Sequence, residues 1–365
     1  MAAKPLILPS DILRDLTQEC FTRLGLSTGD ALAVADVLID ANLRGIESHG
    51  FQRVPIYMRR VSAGLAGGTE RMSVSAEWGC LCRMDAHQAL GPAAGVKAVD
   101  HAVTLAGTYG LGMVAVGHST HFGPAGYYAR RACAHGLVAI VASNAPKTMA
   151  PHGASEPFIG TDPVAVAIPL GRAEPFVLDM AASIVARGKI IRAAALGQPI
   201  PDGLAIDPDG RPTRDAHAAL IGSVLPIGGA KGSGIALAIN MLAGILADAD
   251  FDDEMGSMYD DWDRPQNVGH LFLVIDPGRL EDPERSARRL ESLVQRLHAL
   301  RPAEGYSSVL YAGEPEAELF RSRTIAGVPI KSEELTEVSQ VCAALGLHDL
   351  SERARSLLDG AEGAG

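Results

Sequence analysis

The feature that most limits the fold of this chain is a set of five short runs rich in valine and isoleucine. Each run is bounded by glycine, proline or aspartate. They read GMVAVGHS (112–119), GLVAIVASN (136–144), DPVAVAIP (162–169), EPFVLDMA (174–181) and VGHLFLVIDP (268–277). Runs of this length and composition predict buried β-strands. Longer helical patterns lie between several of them, at 91–110, 123–136 and 232–250. The middle of the chain is therefore predicted to be a mixed α/β body.

Both ends of the chain are predicted to be helical. Ser10 stands where an N-cap would begin a first helix, Gly25 would end it, and a second helix is expected from about Thr28. From residue 282 onward the pattern is again mostly helical. The expected order is helices, then the α/β body, then helices.

Charge and cysteine content limit the partners and the compartment. With 32 basic and 43 acidic residues the net charge is −11, which argues against nucleic acid as a partner. The five cysteines are odd in number and scattered, as expected of reduced thiols. We find neither a signal peptide nor an apolar run long enough to cross a membrane. These features predict a cytoplasmic protein.

Two glycine-rich segments imitate nucleotide-binding motifs without matching them. Gly110, Gly112 and Ala115 spell G-x-G-x-x-A, but here a helical pattern precedes the glycines and a strand follows, the reverse of a dinucleotide fingerprint. GGAKGSG (228–234) places its lysine too early for a P-loop. Any nucleotide must therefore be held in another way.

The GGAKGSG segment can still bind an anion. Its glycines surround Lys231 immediately before an apolar helix, and the free amides of a helix start together with one ammonium suit a phosphate or carboxylate. The alternative is a surface loop whose glycines only turn the chain.

GHSTHFGPAGYY (117–128) places His118 and His121 where a strand ends and a helix begins near Pro124. Such junctions carry functional side chains in α/β folds. A zinc site would need a further carboxylate or thiolate at a recognisable spacing, so we predict that no metal is required. Two structural histidines with backbone partners remain the alternative.

ESHGFQR (47–53) offers Ser48 and His49 as a hydrogen-bonded pair and Arg53 four residues later. A histidine acting as acid or base, with an arginine gripping a carboxylate at two points, suits these residues. A surface cap with an ion-paired arginine suits them as well. Asp179, after three apolar residues, needs a partner, which is either a ribose hydroxyl or the start of a following helix that it caps.

Taken together and in order, these segments resemble the malate/L-lactate dehydrogenase family that lacks a Rossmann fold and includes sulfolactate and ureidoglycolate dehydrogenases and imino-acid reductases. The resemblance runs from about residue 10 to about residue 340. It is carried by RGIESHGFQRVPIY (44–57), GHSTHFGPAGYYA (117–129), APHGASEPFIGTDPVAVAIP (150–169), LDMAASIVARGKI (178–190), DPDGRPTRD (207–215), GGAKGSGIALAINML (228–242) and GSMYDDW (256–262).

The resemblance implies an α/β (α+β) fold with a non-Rossmann NAD(P)-binding core like that of sulfolactate dehydrogenase. Its sheet would be mixed, largely antiparallel and seven-stranded, with flanking helices. The implied domains are a helical one from 1–75 and 315–365 and an NAD(P)-binding one from 76–314. The chain would form a homodimer.

By the same resemblance, His49 matches the acid/base histidine, Ser48 its relay serine and Arg53 the carboxylate-binding arginine. His121 is treated as the base in some members, so the choice between the two histidines stays open. Thr148 and His152 are assigned to the substrate. The implied cofactor-binding residues are His121, Phe122, Gly123, Asn144, Asp179, Met180, Ala181, Lys231, Gly232, Gly313 and Glu314, the last two in a YAGEPE segment where Ala312 replaces proline.

We expect an NAD- or NADP-dependent dehydrogenase, NAD being favoured, that acts on a small 2-hydroxy acid or its 2-oxo form. The alternative within the family is a cyclic 2-imino acid reductase. Those reductases carry an acidic residue after A-H-G, whereas this chain has Lys189 in ARGK. Outside the family, a metal-dependent hydrolase would use His118, His121 and His152.

Overall fold

The computed structural model describes residues 5–362, and an antiparallel seven-stranded sheet with one parallel pair lies at its centre. The outer ends of the expected helical domain, residues 1–4 and 363–365, lie outside the described residues. The strands are β1 Leu6–Leu8, β2 Ser73–Trp78, β3 Leu81–Asp85, β4 Leu111–Ser119, β5 Val138–Ser143, β6 Val164–Leu170, β7 Ala173–Met180, β8 Ala205–Ile206, β9 Ser223–Val224, β10 Val268–Ile275 and β11 Val328–Ile330.

The helices separate into those between the strands and those near the two ends of the chain. They are α1 Ser10–Arg23, α2 Thr28–Leu43, α3 Val54–Ser62, α4 Gly91–Tyr109, α5 Ala125–Cys133, α6 Arg187–Ala195, α7 Ala216–Ile221, α8 Ala230–Ile245, α9 Pro283–His298, α10 Glu314–Ala326, α11 Ser332–Ala344 and α12 His348–Glu362. No helix within the described part of the chain has the length and apolar character that a bilayer span requires.

The strand order of the main sheet is β2-β3-β4-β10-β5-β6-β7, in which only β3 and β4 run parallel. The expected mixed, largely antiparallel seven-stranded sheet is therefore confirmed. All five strands predicted from apolar runs are present. The sequence missed β2 and β3, because β2 is exposed along its whole length and β3 contains Arg83, so neither shows an uninterrupted apolar run.

The glycines of the rejected dinucleotide fingerprint join α4 to β4. Gly110 ends the helix with a φ of 82°, the left-handed conformation that glycine adopts without strain. A Cβ on Gly112 would lie 2.1 Å from the carbonyl oxygen of Ala102, so only glycine lets β4 approach α4 this closely. The prediction of a helix-to-strand turn is confirmed.

Three apolar clusters fill the interior. One joins α1, α2, α3, α11 and α12, and the pairing of β1 with β11 ties the two chain ends together there. A second lies between the main sheet and helices α4 and α5. A third, which the sequence did not suggest, gathers residues between 149 and 236. One local prediction was wrong: Ser10 is the first helical residue of α1 and its side chain makes no capping hydrogen bond, because Pro9 occupies the N-cap position.

Candidate active site

Two segments that are distant in the sequence bring His49 and His121 together. His49 ends a 3₁₀ turn (Glu47–His49) between α2 and α3, and His121 lies in the loop between β4 and α5. Their imidazole rings stack with centroids 5.3 Å apart and planes at 27°. Both candidates for the acid/base residue therefore face the same space.

His49 has a serine partner, as the sequence suggested. Ser48 Oγ lies 2.8 Å from His49 Nδ1. Burial lowers the pKa of His49 to about 3, and the positive charge of Arg53 adds to the effect. At neutral pH the ring is therefore uncharged and able to accept a proton.

His121 is held in one tautomer by its own loop. The backbone N–H of Gly123 donates to His121 Nδ1 over 3.4 Å, and the hydroxyl of Tyr57 lies 2.6 Å from the same atom. A backbone N–H can only donate, so Nδ1 is the acceptor and the neutral ring carries its proton on Nε2. Burial, followed by His49, Arg53 and His270, lowers the pKa of His121 well below its usual range.

Arg53 lies close to His49, on the same short segment of the chain. Its Nε donates to the carbonyl oxygen of Ser48 over 2.7 Å, which fixes the base of the guanidinium. Its Nη1 contacts the hydroxyl of Tyr259, from the loop before β10, and the guanidinium carbon lies 5.9 Å from that ring's centroid. The terminal nitrogens are thus the ones available to a ligand, and Tyr259 stands beside them.

Asp179, at the end of β7, is partnered by another segment rather than by a following helix. Its carboxylate accepts the N–H of Gly126, in the first turn of α5, over 2.9 Å. The alternative in which Asp179 caps the next helix is wrong, because α6 begins only at Arg187. Burial raises the pKa of Asp179, and the Gly126 N–H and Arg130 oppose that change.

Several of the other proposed dinucleotide residues lie along β7 or on the chain that follows it. The chain continues through Met180 and Ala181, and Ala182 then accepts the N–H of Ile227 over 2.8 Å, beside the glycine loop. Gly313 packs against β7, since a Cβ there would lie 3.0 Å from the Cβ of Val177. The remaining members are Lys231, which is exposed, Gly232, which is buried, and Glu314, which opens α10.

The chain after β7, the glycine loop before α8 and the start of α10 could together bind an anionic dinucleotide. The N-cap residues of α8 and α10 make no side-chain cap, so the first amides of these two helices can be offered to a ligand, whereas the start of α5 is partnered by Asp179. Gly228 and Gly229 both have positive φ, 60° and 62°, directly before α8. Glycine adopts such angles without strain, so this turn can place the first amides of α8 toward a ligand.

The side chains of two proposed cofactor-binding residues already contact other parts of the protein. Phe122 stacks between His270 and Tyr128 in the core, with ring centroids 4.3 and 4.8 Å away. Asn144 donates to the carbonyl of Asp250 over 2.8 Å and accepts the N–H of Gly269 over 2.8 Å. Contact of either residue with a dinucleotide would have to use the backbone.

The start of α6 lies beside Ser48. A Cβ on Gly188 would lie 3.8 Å from the Cβ of Ser48, so the start of α6 borders the histidine pair. Its neighbour Arg187 lines a cavity of about 130 Å³ with Lys147 and Thr148. His152 lies apart from that cavity, in a larger one of about 310 Å³ beside Gly228 and Gly229.

The histidines of the metal-hydrolase alternative do not converge. His118 Nδ1 pairs with Asp85 at 3.1 Å, while His121 faces His49. In residues 5–362 the side chains that could jointly ligate a metal are instead Glu77, Cys82 and His101.

Several residues of this site were missed by the sequence. Tyr57 could have been found, since it follows Arg53 by four positions in a helical pattern and shares its face. Gln266, whose Oε1 accepts the N–H of His121 over 3.2 Å, gives no such signal. Tyr259 likewise reaches Arg53 only through the fold, and only the fold brings Lys147 and Arg187 to one cavity.

The chain is similar to proteins of known activity. The malate/L-lactate dehydrogenase family matches residues 8–339. The (2R)-3-sulfolactate dehydrogenase (NADP(+)) of Chromohalobacter salexigens is 38% identical over 318 residues, which cover 83% of this chain and 93% of that protein. The ureidoglycolate dehydrogenase (NAD(+)) of Escherichia coli O157:H7 is 32% identical and covers 88% of this chain and 91% of its own length. Among solved structures, sulfolactate dehydrogenase from Methanocaldococcus jannaschii has a TM-score of 0.87 at 34% identity, with 93% of this chain and 98% of that chain covered.

Proposed function

The chain belongs to the malate/L-lactate dehydrogenase family, and we propose that His49 is its acid/base residue and Arg53 its carboxylate-binding residue. It is an NAD(P)-dependent oxidoreductase that transfers a hydride between a nicotinamide and a small 2-hydroxy or 2-oxo acid. The observation that carries the residue assignment is the stacking of His49 on His121 beside an arginine anchored to Ser48.

In oxidation, Arg53 holds the C1 carboxylate and His49 Nε2 removes the hydroxyl proton. In the tautomer that this role requires, Ser48 Oγ accepts from Nδ1–H, which leaves Nε2 unprotonated and able to take the proton. The bound nicotinamide supplies the hydride acceptor. Holding the carboxylate and the hydroxyl from one short segment, residues 48–53, fixes the orientation of C2, and such positioning supplies much of the rate.

His121 serves as a hydrogen-bond donor in this proposal. Because its Nδ1 accepts from Gly123 and Tyr57, its Nε2–H is the group available to the substrate oxygen. A donor there stabilises the negative charge that develops on that oxygen during proton transfer.

We further propose that the natural substrate carries a second anionic group. Lys147 and Arg187 line one polar cavity, and Arg187 directly precedes Gly188, which lies beside Ser48. Two cations beside the site would bind the distal carboxylate or sulfonate of malate or 3-sulfolactate, the substrates named for the relatives. Thr148 would line the same subsite, whereas His152 lies in the separate cavity beside Gly228 and Gly229.

The cofactor is NAD or NADP, and we propose a preference for NAD. The assigned dinucleotide residues include two carboxylates, Asp179 and Glu314, and one lysine, Lys231. The extra 2′-phosphate of NADP is disfavoured by nearby negative charge. Comparison of kcat/KM for NADH and NADPH tests this preference.

A homodimer is proposed on the basis of an exposed apolar stripe on α8. Ile235, Met241, Leu242 and Ile245 are 42%, 54%, 46% and 63% exposed at helical spacing. Stripes of this kind mark association surfaces. Sedimentation of the purified protein at several concentrations tests it, and a monomer throughout would contradict the proposal.

A cytoplasmic location and two domains are also proposed. All five cysteines are unpaired thiols, four of them buried, which suits a reducing compartment. The separate apolar clusters of the end helices and of the sheet support the division into 1–75 with 315–365 and 76–314.

The substrate proposal is tested with purified enzyme, NADH or NADPH, and a panel of acceptors. The panel contains pyruvate, oxaloacetate, 3-sulfopyruvate and a cyclic 2-imino acid, followed by nicotinamide absorbance. Higher kcat/KM for the dianionic 2-oxo acids than for pyruvate is expected. Preferential reduction of the cyclic imine would instead identify an imino acid reductase.

A further inference from the structure

Three side chains with different donor atoms meet at the outer edge of the main sheet, away from the histidine pair. They are Glu77 of β2, Cys82 of β3 and His101 of α4, and their carboxylate oxygen, Sγ and ring nitrogen all lie within 4.8 Å of one another. We propose that these three residues form a zinc-binding site, with water as the fourth ligand.

The fold brings the three together for reasons unrelated to metal. Glu77 and Cys82 are directly opposite each other in the antiparallel β2–β3 pair, so their side chains project on the same side of the sheet. Cys82 belongs to the apolar cluster that α4 covers, and His101 extends from that helix beside it. Each ligand therefore comes from a regular element, which holds it more rigidly than a loop would.

The geometry needs little adjustment. His101 Nε2 and Glu77 Oε2 are 2.8 Å apart. Zinc bonds of about 2.0 Å to nitrogen and oxygen and about 2.3 Å to sulfur place tetrahedral ligand atoms roughly 3.3 to 3.6 Å apart. The His101–Glu77 pair must open by about half an ångström, and the thiol must move inward. Glu77 and His101 are partly exposed, at 44% and 28%, so their side chains have room to do so.

The three kinds of donor atom favour zinc. A thiolate, an imidazole and a carboxylate together suit zinc, whereas calcium and magnesium prefer oxygen donors alone. Cys82 is only 5% exposed, so its sulfur lies beneath the other two ligands and the ion would be held between the sheet and α4. Binding releases the thiol proton of Cys82 to solvent.

A bound ion would stabilise the edge of the main sheet formed by β2 and β3. β2 is exposed along its length and pairs within the sheet only with β3. An ion shared by β2, β3 and α4 would join that hairpin to the helix, and anything that binds the folded state alone raises its thermal stability. The site is separate from the proposed chemistry, so no catalytic requirement for a metal follows.

Cobalt provides the direct test, because a thiolate bound to Co²⁺ gives an intense near-ultraviolet charge-transfer band. Metal-stripped wild-type protein should bind one Co²⁺ per chain with that band, and Zn²⁺ should displace it. The Cys82→Ser variant should lose the band, and His101→Ala, which leaves the core intact, should weaken binding at least tenfold.

Cys80 provides the matched control, since it lies two residues away in the β2–β3 turn and outside the ligand group. Cys80→Ser should keep the band and the zinc-induced rise in thermal midpoint. The absence of a thiolate band in the wild type would overturn the site. So would its loss in Cys80→Ser with retention in Cys82→Ser, or binding that is indifferent to His101→Ala.

Discussion

The hydroxyl of Tyr57 lies 2.6 Å from Nδ1 of His121. Tyr57 is buried on α3, and Arg53 directly precedes that helix, so two adjoining turns of the chain carry the proposed carboxylate-binding residue and the hydroxyl that orients the second histidine. The same Nδ1 accepts the N–H of Gly123, which directs the ring's remaining polar atom, Nε2–H, to a ligand. With Nδ1–H assigned to His49 in the proposed mechanism, the two stacked histidines differ in tautomer.

Removal of the Tyr57 hydroxyl should loosen His121. Tyr57→Phe is expected to lower kcat by about five- to tenfold, the value of one hydrogen bond of roughly 1 kcal/mol, with cofactor affinity unchanged. Steady-state kinetics and nucleotide titration measure the two quantities. Tyr306→Phe, at a site 74% exposed, is the control and should match the wild type.

The two histidines should respond differently to glutamine. His49→Gln removes the base and should lower kcat by about 10²- to 10⁴-fold. His121→Gln keeps an N–H donor near the position of Nε2 and should retain more activity than His121→Phe. If His121→Gln loses kcat by about 10²- to 10⁴-fold while His49→Gln keeps near-normal turnover, the roles are reversed.

Arg53 and Tyr259 should affect substrate binding rather than cofactor binding. Arg53→Lys keeps the charge but loses the planar pair of donors, so the KM for the 2-oxo acid should rise and kcat fall through misorientation. Tyr259→Phe removes the hydroxyl that contacts Nη1 and should change the substrate KM with little effect on nucleotide affinity. An altered dissociation constant for NADH with a normal substrate KM in both variants would contradict the assignment.

The pH dependence should differ between the two directions. Since the pKa of His49 is lowered to about 3 from its ordinary 6.5, the neutral form predominates at every pH above about 4. The kcat/KM of oxidation should therefore show no acid limb near pH 6.5. Reduction needs the protonated ring, so its kcat/KM should rise as the pH falls through the neutral range. An oxidation profile with an acid limb at pH 6 to 7 in the wild type would contradict the lowered pKa of His49.

Lys147 and Arg187 should govern the preference for dianionic substrates. Neutralising either by Lys147→Ala or Arg187→Ala should reduce the kcat/KM ratio of oxaloacetate to pyruvate by about tenfold or more, because a paired charge is worth roughly 1.5 to 3 kcal/mol. The control is Arg192→Ala, an exposed residue farther along α6. If neither Lys147→Ala nor Arg187→Ala changes the kcat/KM ratio of oxaloacetate to pyruvate, the second anionic group of the substrate binds elsewhere.

Much of the fold followed from the sequence. The five apolar runs became strands β4, β5, β6, β7 and β10, because hydrophobic burial over short, glycine- or proline-bounded segments is a local signal. The order of the motifs was sufficient to indicate the family, its dehydrogenase activity and its non-Rossmann sheet, which the comparisons confirm. The glycines at 110 and 112 were correctly read as a helix-to-strand turn.

Only the tertiary structure decided which of these residues act together. His49 and His121 are separated by 72 positions, and no periodicity relates them; they meet because α3 and the β4–α5 loop pack against each other. The tautomer of His121, the partner of Asp179 and the cluster of Glu77, Cys82 and His101 depend in the same way on long-range contacts. Sequence patterns report the burial and backbone preference of each segment, whereas the chemistry of a site depends on distances between segments, which only the packed chain fixes.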